Sequence, residues 1–396
     1  MKQCVSIMLT VVLLMALFSV GSFSVAATLE NKSFGEFTYN VVDEQIILIG
    51  AQENISGQVV IPGSIEGYPV TSIADSTFDG CSQMVSVKIP SQVSIIGEAA
   101  FEGCTGLTEF IVEATNKAYC ARDGVLFNKD RTKLVGYPPC KDATAFAVPD
   151  GVTSVDPMAF SGATKLESVT IADGVEKLGD KAFYECVALK RIVFGIGLKE
   201  IGEETFAACK ALEAVTIPNS VTSVGYGAFS GCSKLADVTI GSGLTSIDVR
   251  MFLDCVSLKN VSIPATVTTV AGSAFSRCTN LESITISDSV KKIGGYAFYE
   301  CTNLKTVNYT GSKADKKEIV IGAKNEALDI AEWQYNAPSV QPPAADTSVG
   351  PQPISGPDSN VIWWRVFIAA ISVFVTAVVV AVIVVLVKGI KQRKSR

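Results

Sequence analysis

Apolar residues recur through the middle of the chain with a period of 23 residues. Phenylalanine marks this period, with two members before a 59-residue gap and seven members after it. The series reads Phe78 and Phe101, then Phe160, Phe183, Phe206, Phe229, Phe252, Phe275 and Phe298. Because the gap equals one period plus 36 residues, the sequence predicts nine turns of a repeat and one insertion.

A single turn shows the elements of the repeat. Leu235, Val238 and Ile240 hold the apolar positions of a strand, and the alternation over residues 238–240 predicts that one face is turned inward. Ala228 and Phe229 come before this strand and are expected to pack inward from a short helical or irregular turn. Pro218 ends the preceding strand, because proline cannot donate to a sheet. Residues 221–224 predict a second, shorter extended segment.

One such unit is too small to bury its own apolar face. Stacked units share a continuous core, in which the strands pair in parallel about 4.8 Å apart. The repeat therefore predicts a β-rich solenoid rather than a globule with a central pocket.

Cysteine keeps the phase of the phenylalanine series. It lies three residues after the phenylalanine in eight turns, and Ala163 replaces it in another. The eight are Cys81, Cys104, Cys186, Cys209, Cys232, Cys255, Cys278 and Cys301. One inward-pointing residue per turn favours buried free thiols over disulfides or a zinc site, whose thiolate ligands lie about two to four residues apart. Cys120 and Cys140 lie in the insertion, outside this column, and are a candidate disulfide pair.

The amino-terminal segment is apolar and typical of a secretory signal. Lys2 precedes a nearly continuous apolar run, and small residues follow near Ala26. This order predicts a signal peptide over residues 1–26, with a first membrane helix as the alternative.

The carboxyl-terminal segment predicts a membrane anchor. Residues 366–387 hold no charge and would span roughly 33 Å as a helix, enough to cross a bilayer, with a buried core helix as the alternative. Trp363 lies at one edge and basic residues lie at the other. We therefore expect a transmembrane helix over 361–387 and a basic cytoplasmic tail over 388–396, in a single-pass type I topology with the repeats outside the cell.

The remaining boundaries follow from these assignments. We expect an N-terminal cap over residues 27–59, the solenoid over 60–310 with an insertion at 113–147, and a C-terminal cap over 311–336. Residues 337–360 contain six prolines and predict a Pro-rich stalk.

Composition narrows the chemistry. The chain has no histidine, which removes the commonest general base and metal ligand. All 39 acidic residues lie between residues 28 and 360, so the body is acidic and nucleic acid is not an expected partner. Glu203 and Glu204 are adjacent rather than opposed across a cleft, and residues 195–197 lack the third glycine of a dinucleotide site. The sequence predicts no catalytic residue, metal or cofactor.

Three segments resemble the BspA-like leucine-rich-repeat family of microbial surface proteins. The repeat follows Ile-Pro-x-x-Val-x-x-Ile-Gly-x-x-Ala-Phe-x-x-Cys-x-x-Leu, residues 60–73 precede it, and the insertion carries the run 119–130 followed by 134–138. The resemblance covers about residues 37–335. The sequence departs from the pattern at Ala163, at Phe194 in place of Ile-Pro, and at Arg250-Met251 before Phe252.

The resemblance implies a leucine-rich-repeat solenoid in which the insertion is a hairpin-type repeat. It also implies a cell-surface adhesin or antigen that binds extracellular proteins, glycans, host matrix or other cells, with no catalytic residues to transfer. Two alternatives stay open: a single-pass recognition receptor that acts through a membrane partner, and a structural surface coat.

The candidate ligand-binding face consists of strand residues that point away from the core. They lie two and four places after the repeat leucine, or after Met84 in the first turn. The first column reads Ser86, Glu109, Ser168, Arg191, Ala214, Asp237, Asn260, Ser283 and Thr306. The second column reads Lys88, Ile111, Thr170, Val193, Thr216, Thr239, Ser262, Thr285 and Asn308. Threonine also suits any half-exposed strand, so the first column is the better candidate for selectivity, with an ordinary solvated face as its alternative.

Four Asn-x-Ser/Thr sequences predict N-glycosylation in a host that glycosylates, at Asn31, Asn54, Asn260 and Asn308. Two of them, Asn260 and Asn308, lie on the candidate face. Glycans attached there would block part of that face.

Overall fold

The computed structural model describes residues 30–338. The predicted signal peptide (1–26), transmembrane helix (361–387) and basic tail (388–396), with nearly all of the predicted stalk, lie outside the described residues. Within residues 30–338, no helix combines the length and the apolar character that a bilayer crossing requires.

Short strands account for nearly all of the regular structure, joined by one α-helix and one 3-10 helix. In chain order the strands are β1 (Lys32–Phe34), β2 (Phe37–Val42), β3 (Gln45–Ala51), β4 (Gly57–Val60), β5 (Ser64–Ile65), β6 (Tyr68–Ile73), β7 (Met84–Ile89), β8 (Ile95–Ile96), β9 (Glu109–Val112), β10 (Tyr119–Arg122), β11 (Val125–Asn128), β12 (Lys133–Gly136), β13 (Ala145–Ala147), β14 (Ser154–Val155), β15 (Ser168–Thr170), β16 (Lys177–Leu178), β17 (Arg191–Val193), β18 (Glu200–Ile201), β19 (Ala214–Thr216), β20 (Ser223–Val224), β21 (Asp237–Thr239), β22 (Ser246–Ile247), β23 (Asn260–Ser262), β24 (Thr269–Val270), β25 (Ser283–Ile286), β26 (Lys292–Ile293), β27 (Thr306–Tyr309), β28 (Val320–Ile321) and β29 (Glu332–Gln334). The 3-10 helix is Asp315–Glu318 and the α-helix, α1, is Glu326–Ile330.

Successive turns place one strand each in a parallel ladder. The ladder consists of a three-stranded sheet, β4-β7-β9, and a nine-stranded sheet that runs from β13 to β29. A second set of mostly two-residue strands pairs on the other side of the turns, in the order β12-β14-β16-β18-β20 and again in β22-β24-β26-β28. The predicted parallel solenoid is therefore confirmed.

The solenoid has about 13 turns of roughly 23 residues, more than the nine that the phenylalanine series predicts. The additional turns include those of β4, β13 and β29, which lack the Phe-x-x-Cys pattern. Turns at the ends of the solenoid and beside the insertion do not need an aromatic ring that stacks on both sides. Their sequences therefore depart from the repeat, and the phenylalanine period does not detect them.

The repeat phenylalanines form a stacked column in the core. From Phe160 to Phe298, neighbouring ring centroids lie 4.6 to 5.6 Å apart with nearly parallel planes. All seven of these rings are fully buried. Because each ring packs on the ring of the next turn, the column ties these seven turns into one continuous core. The turns of Phe78 and Phe101 belong to a second cluster, so the single core predicted for all nine turns is wrong.

Tyr137 continues this column before Phe160. Its ring centroid lies 4.9 Å from that of Phe160, and it precedes Phe160 by one 23-residue period. Cys140 follows Tyr137 by three residues, so it lies in the cysteine phase. The sequence interpretation that placed Cys140 outside the column is wrong, because tyrosine replaces the phenylalanine that marks the turn.

The insertion is an antiparallel meander, which confirms the hairpin-type repeat. Strands β10, β11 and β12 pair in antiparallel order, and β12 then joins β14 in parallel. Buried Asn116 anchors the meander: its Nδ2 donates to the carbonyls of Pro90 and Val93, and its Oδ1 accepts from the amides of Ala118 and Tyr119. The core divides into two clusters at this insertion.

Two residues in most loops have a positive φ. One lies two residues before the phenylalanine and the other lies two residues after it; in the turn of Phe206 they are Glu204 (φ 49°) and Ala208 (φ 60°). Glycine occupies both places in the turn of Phe229, at Gly227 and Gly231. L-residues pay a conformational cost in this region, so many of the loops carry local strain.

The two ends of the solenoid are capped in different ways. Strands β1, β2 and β3 form an antiparallel sheet that pairs with the first turn through β6. At the other end, the Asn325 side chain accepts a hydrogen bond from the Phe298 amide at 2.9 Å, where earlier turns use a carbonyl of the next turn. The Trp333 indole donates to Leu328 O at 2.8 Å and fixes α1 to β29.

Candidate ligand-binding face

The structure aligns both predicted columns in register along the ladder. Asp237 pairs with Ala214 on one side and with Asn260 on the other, and Thr285 pairs with Ser262 and Asn308. Inward-pointing residues between the columns, such as Val261 and Ile284, are buried. The alternation places the columns on one outer face, which we call the binding face.

The binding face extends beyond the predicted residues. The first column also contains Gln58, Ala145 and Glu332, and the second also contains Val60, Ala147 and Gln334. These positions could not be read from the sequence by counting from the repeat leucine, because their turns lack the leucine. The pairing register of neighbouring strands identifies them.

Ser86 is an exception to the predicted exposure. It is only 6% exposed, whereas its neighbour Val85 is 47% exposed. The pairing of β4 with β7 shifts register between Gly57 and Gln58, so that Val85 is the additional residue of a bulge. Ser86 lies in the first column but is not available to a ligand, and the prediction for this residue is wrong.

Charge on the binding face is concentrated in a few turns. Glu109, Arg191 and Asp237 are exposed in the first column, and Lys88 in the second forms an ion pair with Glu113 at 3.1 Å. The predicted residues Ser168, Thr170, Thr216 and Thr239 lie between these charges and are exposed or half-exposed.

Three consecutive strands, β23, β25 and β27, carry only uncharged polar groups on the binding face. We call this area the polar patch; its residues are Asn260, Ser262, Ser283, Thr285, Thr306 and Asn308. The Ser283 hydroxyl donates to Asn260 Oδ1 at 2.7 Å, so the two side chains hold each other in place across neighbouring turns. The patch presents hydroxyl and amide groups that repeat at the strand spacing of about 4.8 Å.

Apart from the pair of Lys88 and Glu113, the ion pairs between neighbouring turns join residues outside the two columns of the binding face. Eight pairs join residues 23 positions apart, including Glu167 with Lys190 at 2.9 Å and Glu282 with Lys305 at 4.0 Å. Exposed pairs of this kind contribute about 0 to 1 kcal/mol each. They balance charge locally and leave the polar patch neutral.

The predicted glycosylation residues lie at accessible positions. Asn31, Asn54 and Asn260 are exposed, and Asn308 is half-exposed. Asn260 lies on β23, at one edge of the polar patch, and accepts the hydrogen bond of Ser283, so a glycan at Asn260 would cover that edge.

The cysteine column consists of free thiols. All eight predicted members are buried and unpaired. Burial raises the pKa of the Cys232 and Cys301 thiols to about 12. Among the described residues, no group of three or more cysteine, aspartate or glutamate side chains is arranged to hold a metal ion.

The candidate disulfide is not formed in this structure. Cys120 and Cys140 are both free and half-buried. The Cys120 thiol instead donates to Asn128 O at 3.4 Å across the β10–β11 hairpin. Cys140 lies in the turn of Tyr137, which follows that hairpin along the chain.

Comparison with known families agrees with this geometry. Six copies of the BspA type leucine rich repeat region match residues 61–121, 137–255 and 199–318, which together cover more than half of the chain. The chain belongs to the BspA-type leucine-rich-repeat family. The family assignment confirms the resemblance that the repeat, the preceding segment and the insertion indicate. No protein with a curated description matches the chain.

Solved structures similar to this BspA-type chain come from several bacteria. A leucine rich cell surface protein from Faecalibacterium prausnitzii is 25% identical, covers 75% of this chain and 99% of its own, and has a TM-score of 0.37. A leucine-rich repeat protein from Bacteroides ovatus is 25% identical over 77% of this chain and 78% of its own, with a TM-score of 0.48. The pneumococcal vaccine antigen PcpA is 16% identical over 78% and 99%, with a TM-score of 0.48.

Proposed function

We propose that this BspA-type protein is a cell-surface adhesin or antigen that binds an extended protein or glycan through its binding face. One observation carries the proposal: in-register strands hold two columns of mostly polar side chains on a broad outer face whose inner side is fully packed. Such surfaces suit long ligands, because affinity is distributed over many weak contacts along the solenoid.

The polar patch is the part of the face best suited to an uncharged ligand segment. Its hydroxyl and amide groups can both donate and accept hydrogen bonds, as sugar hydroxyls and peptide groups require. Asp237, on the turn next to the patch, and Arg191, two turns further along the ladder, would orient a ligand by its charge and give selectivity.

Attachment to the cell surface is part of the proposal. The predicted signal peptide and the predicted helix over 361–387 would place the repeats outside the cell, and the Pro-rich segment 337–360 would hold them away from the membrane. Detection of the repeats on intact cells by antibody, before and after surface proteolysis, tests this arrangement.

A charge swap on the face tests the binding function. Cells that display the full chain are compared for adhesion to host matrix proteins, glycans and cell monolayers. We expect the double variant R191D/D237R to bind at least about tenfold more weakly, because both orienting charges are reversed while the net charge is unchanged.

The matched control is the variant K177E/E200K, which reverses an exposed ion pair of 2.8 Å on the second ladder, outside the binding face. It is expected to bind like the wild type. Equal binding by both variants would exclude the first column as the selective surface. Absence of binding by the wild type to every surface would instead favour a structural coat, and a response that depends on residues 388–396 would favour a receptor.

A further inference from the structure

The hairpin insertion leaves a slot on the loop side of the solenoid. Four residues separate the second-ladder strand from Phe160 in a regular turn, whereas only two, Val135 and Gly136, separate Leu134 from Tyr137. Because the turn of Tyr137 lacks the outer part of its loop, the loop of Phe101 faces the loop of Phe160 across a cavity of about 80 Å³.

We define the slot by its two walls and its floor. Residues 96–102 form one wall, residues 156–159 with Ser161 form the other, and residues 135–137 with Pro139 lie between them. The slot continues into an outer groove of about 350 Å³ that shares Glu98 and Met158 with it.

The walls of the slot carry main-chain groups that are paired in every regular turn around them. In the turn of Phe183, for example, the amide of Phe183 donates to Thr205 O at 2.8 Å in the next turn. Among the described residues, none accepts from the amides of Ala99, Phe101 and Gly103. Across the slot, the carbonyls of Pro157 and Ser161 accept from no described residue.

Side chains in the slot are also incompletely packed. Phe101 is half-buried, while the other repeat phenylalanines are fully buried. Its ring stacks on Phe78 at 5.3 Å, whereas its contact with Phe110 on the insertion side is T-shaped, with the ring centroids 5.0 Å apart. Tyr137 is 3% exposed, and its hydroxyl has no hydrogen-bond partner in the part of the chain that the structure describes.

The slot and its groove are acidic. Glu98, Glu102 and Asp156 line the slot, and the groove adds Asp180, Glu203 and Glu204. Among residues 30–338, two of these carboxylates form an ion pair: Lys133 contacts Asp156 at 3.2 Å and Lys181 contacts Glu204 at 3.4 Å. Burial also raises the pKa of the Glu102 carboxyl, with a further contribution from Asp79. A positively charged ligand would relieve this excess of negative charge.

We propose that the slot binds one extended peptide segment containing lysine or arginine, which takes the place of the missing loop. The carbonyls of the ligand accept from the amides of Ala99, Phe101 and Gly103, and its amides donate to the carbonyls of Pro157 and Ser161. The wall amides occur at alternate residues, as a partner in extended conformation requires. On the other wall the carbonyl of Ala159, between those of Pro157 and Ser161, already accepts from the Tyr137 amide, so the ligand bonds this wall only on either side of Tyr137. Small or aliphatic side chains of the ligand contact Phe101 and Met158, and its basic side chains reach Glu98, Glu102 and the outer groove.

This site is separate from the binding face, so its failure would leave the adhesin proposal intact. The test uses the full chain and a fluorescein-labelled peptide, Lys-Ala-Lys-Val-Lys-Ala-Lys, in a fluorescence anisotropy titration. Saturable micromolar binding is expected. The same peptide with N-methyl groups on alternate amides keeps its charge and loses its donors, so one of the two methylated registers should bind at least about tenfold more weakly.

A variant pair locates the site. Ser161→Trp fills the slot and should weaken peptide binding at least about tenfold, whereas Ser230→Trp changes the same loop position in an uninterrupted turn and should leave it unchanged. Equal binding by both variants, or equal binding of all methylated peptides, would show attraction by charge alone and overturn the proposal. The lack of saturable binding up to about millimolar concentration would also overturn it.

Amide hydrogen exchange provides a readout that does not depend on the variants. The Phe101 amide should exchange at least about tenfold faster than the Phe183 amide in the free protein, and the peptide should slow it by a similar factor. If a saturating concentration of the peptide does not slow the exchange of the Phe101 amide, the proposal is overturned. This test does not require the Ser161→Trp variant to fold.

Discussion

The Cys232 thiol donates a hydrogen bond to the main-chain carbonyl of Phe206 in the preceding turn, with an Sγ···O distance of 3.2 Å. The same bond recurs in six more turns, between the cysteine and the phenylalanine 26 residues before it, at 3.1 to 3.2 Å. Cys81, in the first turn of the column, instead donates to Gln52 O at 3.8 Å. The cysteine column therefore does more than fill space, because seven of its eight thiols link their own turn to the main-chain carbonyl of the phenylalanine in the preceding turn.

Removal of one thiol should weaken the stack measurably. Cys232→Ala loses a buried sulfur and its hydrogen bond, so we expect the free energy of unfolding to fall by about 1 to 3 kcal/mol. Urea denaturation followed by circular dichroism measures this change. Ala163→Cys is the converse variant: it places a thiol where the Tyr137 carbonyl has none, and its urea midpoint should be unchanged or higher.

The buried thiols should make the protein sensitive to alkali. Burial raises the pKa of Cys232 and Cys301 from 9.0 to about 12, and burial also raises the pKa of Cys255 and Cys278. Between pH 9 and pH 12 the unfolded chain releases these protons while the folded chain keeps them, so stability falls as pH rises. The loss is about 1.4 kcal/mol per thiol for each pH unit above 9, and none is expected below it.

Urea midpoints measured between pH 7 and pH 11 test this dependence. Tyrosine and lysine also titrate above pH 9, so the comparison with Cys232→Ala isolates the thiol contribution. The variant should lose stability less steeply with pH than the wild type. Parallel curves for the two proteins would show that the Cys232 thiol is ionised equally in both states.

A ring in the middle of the column should be essential to the shared core. Phe229 is fully buried and stacks on Phe206 at 5.3 Å and on Phe252 at 5.6 Å. We expect Phe229→Ala to cost about 3 to 5 kcal/mol, the range for a buried phenylalanine. An unchanged thermal melting curve would contradict the stacked core.

The sequence predicted those features that depend on the constant period. Phe229, Cys232 and Leu235 repeat without a change of phase, so counting along the chain gives the inward column and, by alternation, Asp237 and Thr239 on the binding face. Counting from Phe101 missed Tyr137 and Cys140, because the 36 extra residues of the insertion shift the 23-residue spacing. In addition, a tyrosine rather than a phenylalanine marks this turn.

Features that arise between turns could not be predicted from one repeat. The burial of Ser86 depends on the register shift opposite Gly57, which belongs to another turn. The slot depends on main-chain groups of Phe101 and Ser161 that lie 60 residues apart and carry no side-chain signal. The Cys232 hydrogen bond is likewise a contact between two turns, whereas the periodic pattern reports only the position of each residue within one turn.

Two adjacent alanines should respond oppositely to glycine. Ala208 has φ 60°, where glycine carries no steric penalty, so Ala208→Gly is expected to raise stability by about 0.5 to 1 kcal/mol. Ala207 is 6% exposed and is not among the residues with positive φ, so Ala207→Gly should lower stability by about 1 kcal/mol. Thermal melting of the two variants gives the sign, and a decrease in both would contradict the strain assigned to Ala208.

Asn325 should determine the stability of the last turn more than that of the centre. Its Oδ1 accepts from the Phe298 amide, and its Nδ2 donates to Gly294 O at 2.9 Å and Gly322 O at 2.8 Å. Asn325→Ala leaves the buried amide of Phe298 without an acceptor, at a cost of about 1 to 3 kcal/mol. Because turns in a solenoid contact only their neighbours, amide exchange should accelerate at Phe298 and stay slow at Phe206. Equal acceleration at both amides would show that the last turn unfolds only together with the whole solenoid, and that Asn325 stabilises the fold globally rather than closing one end.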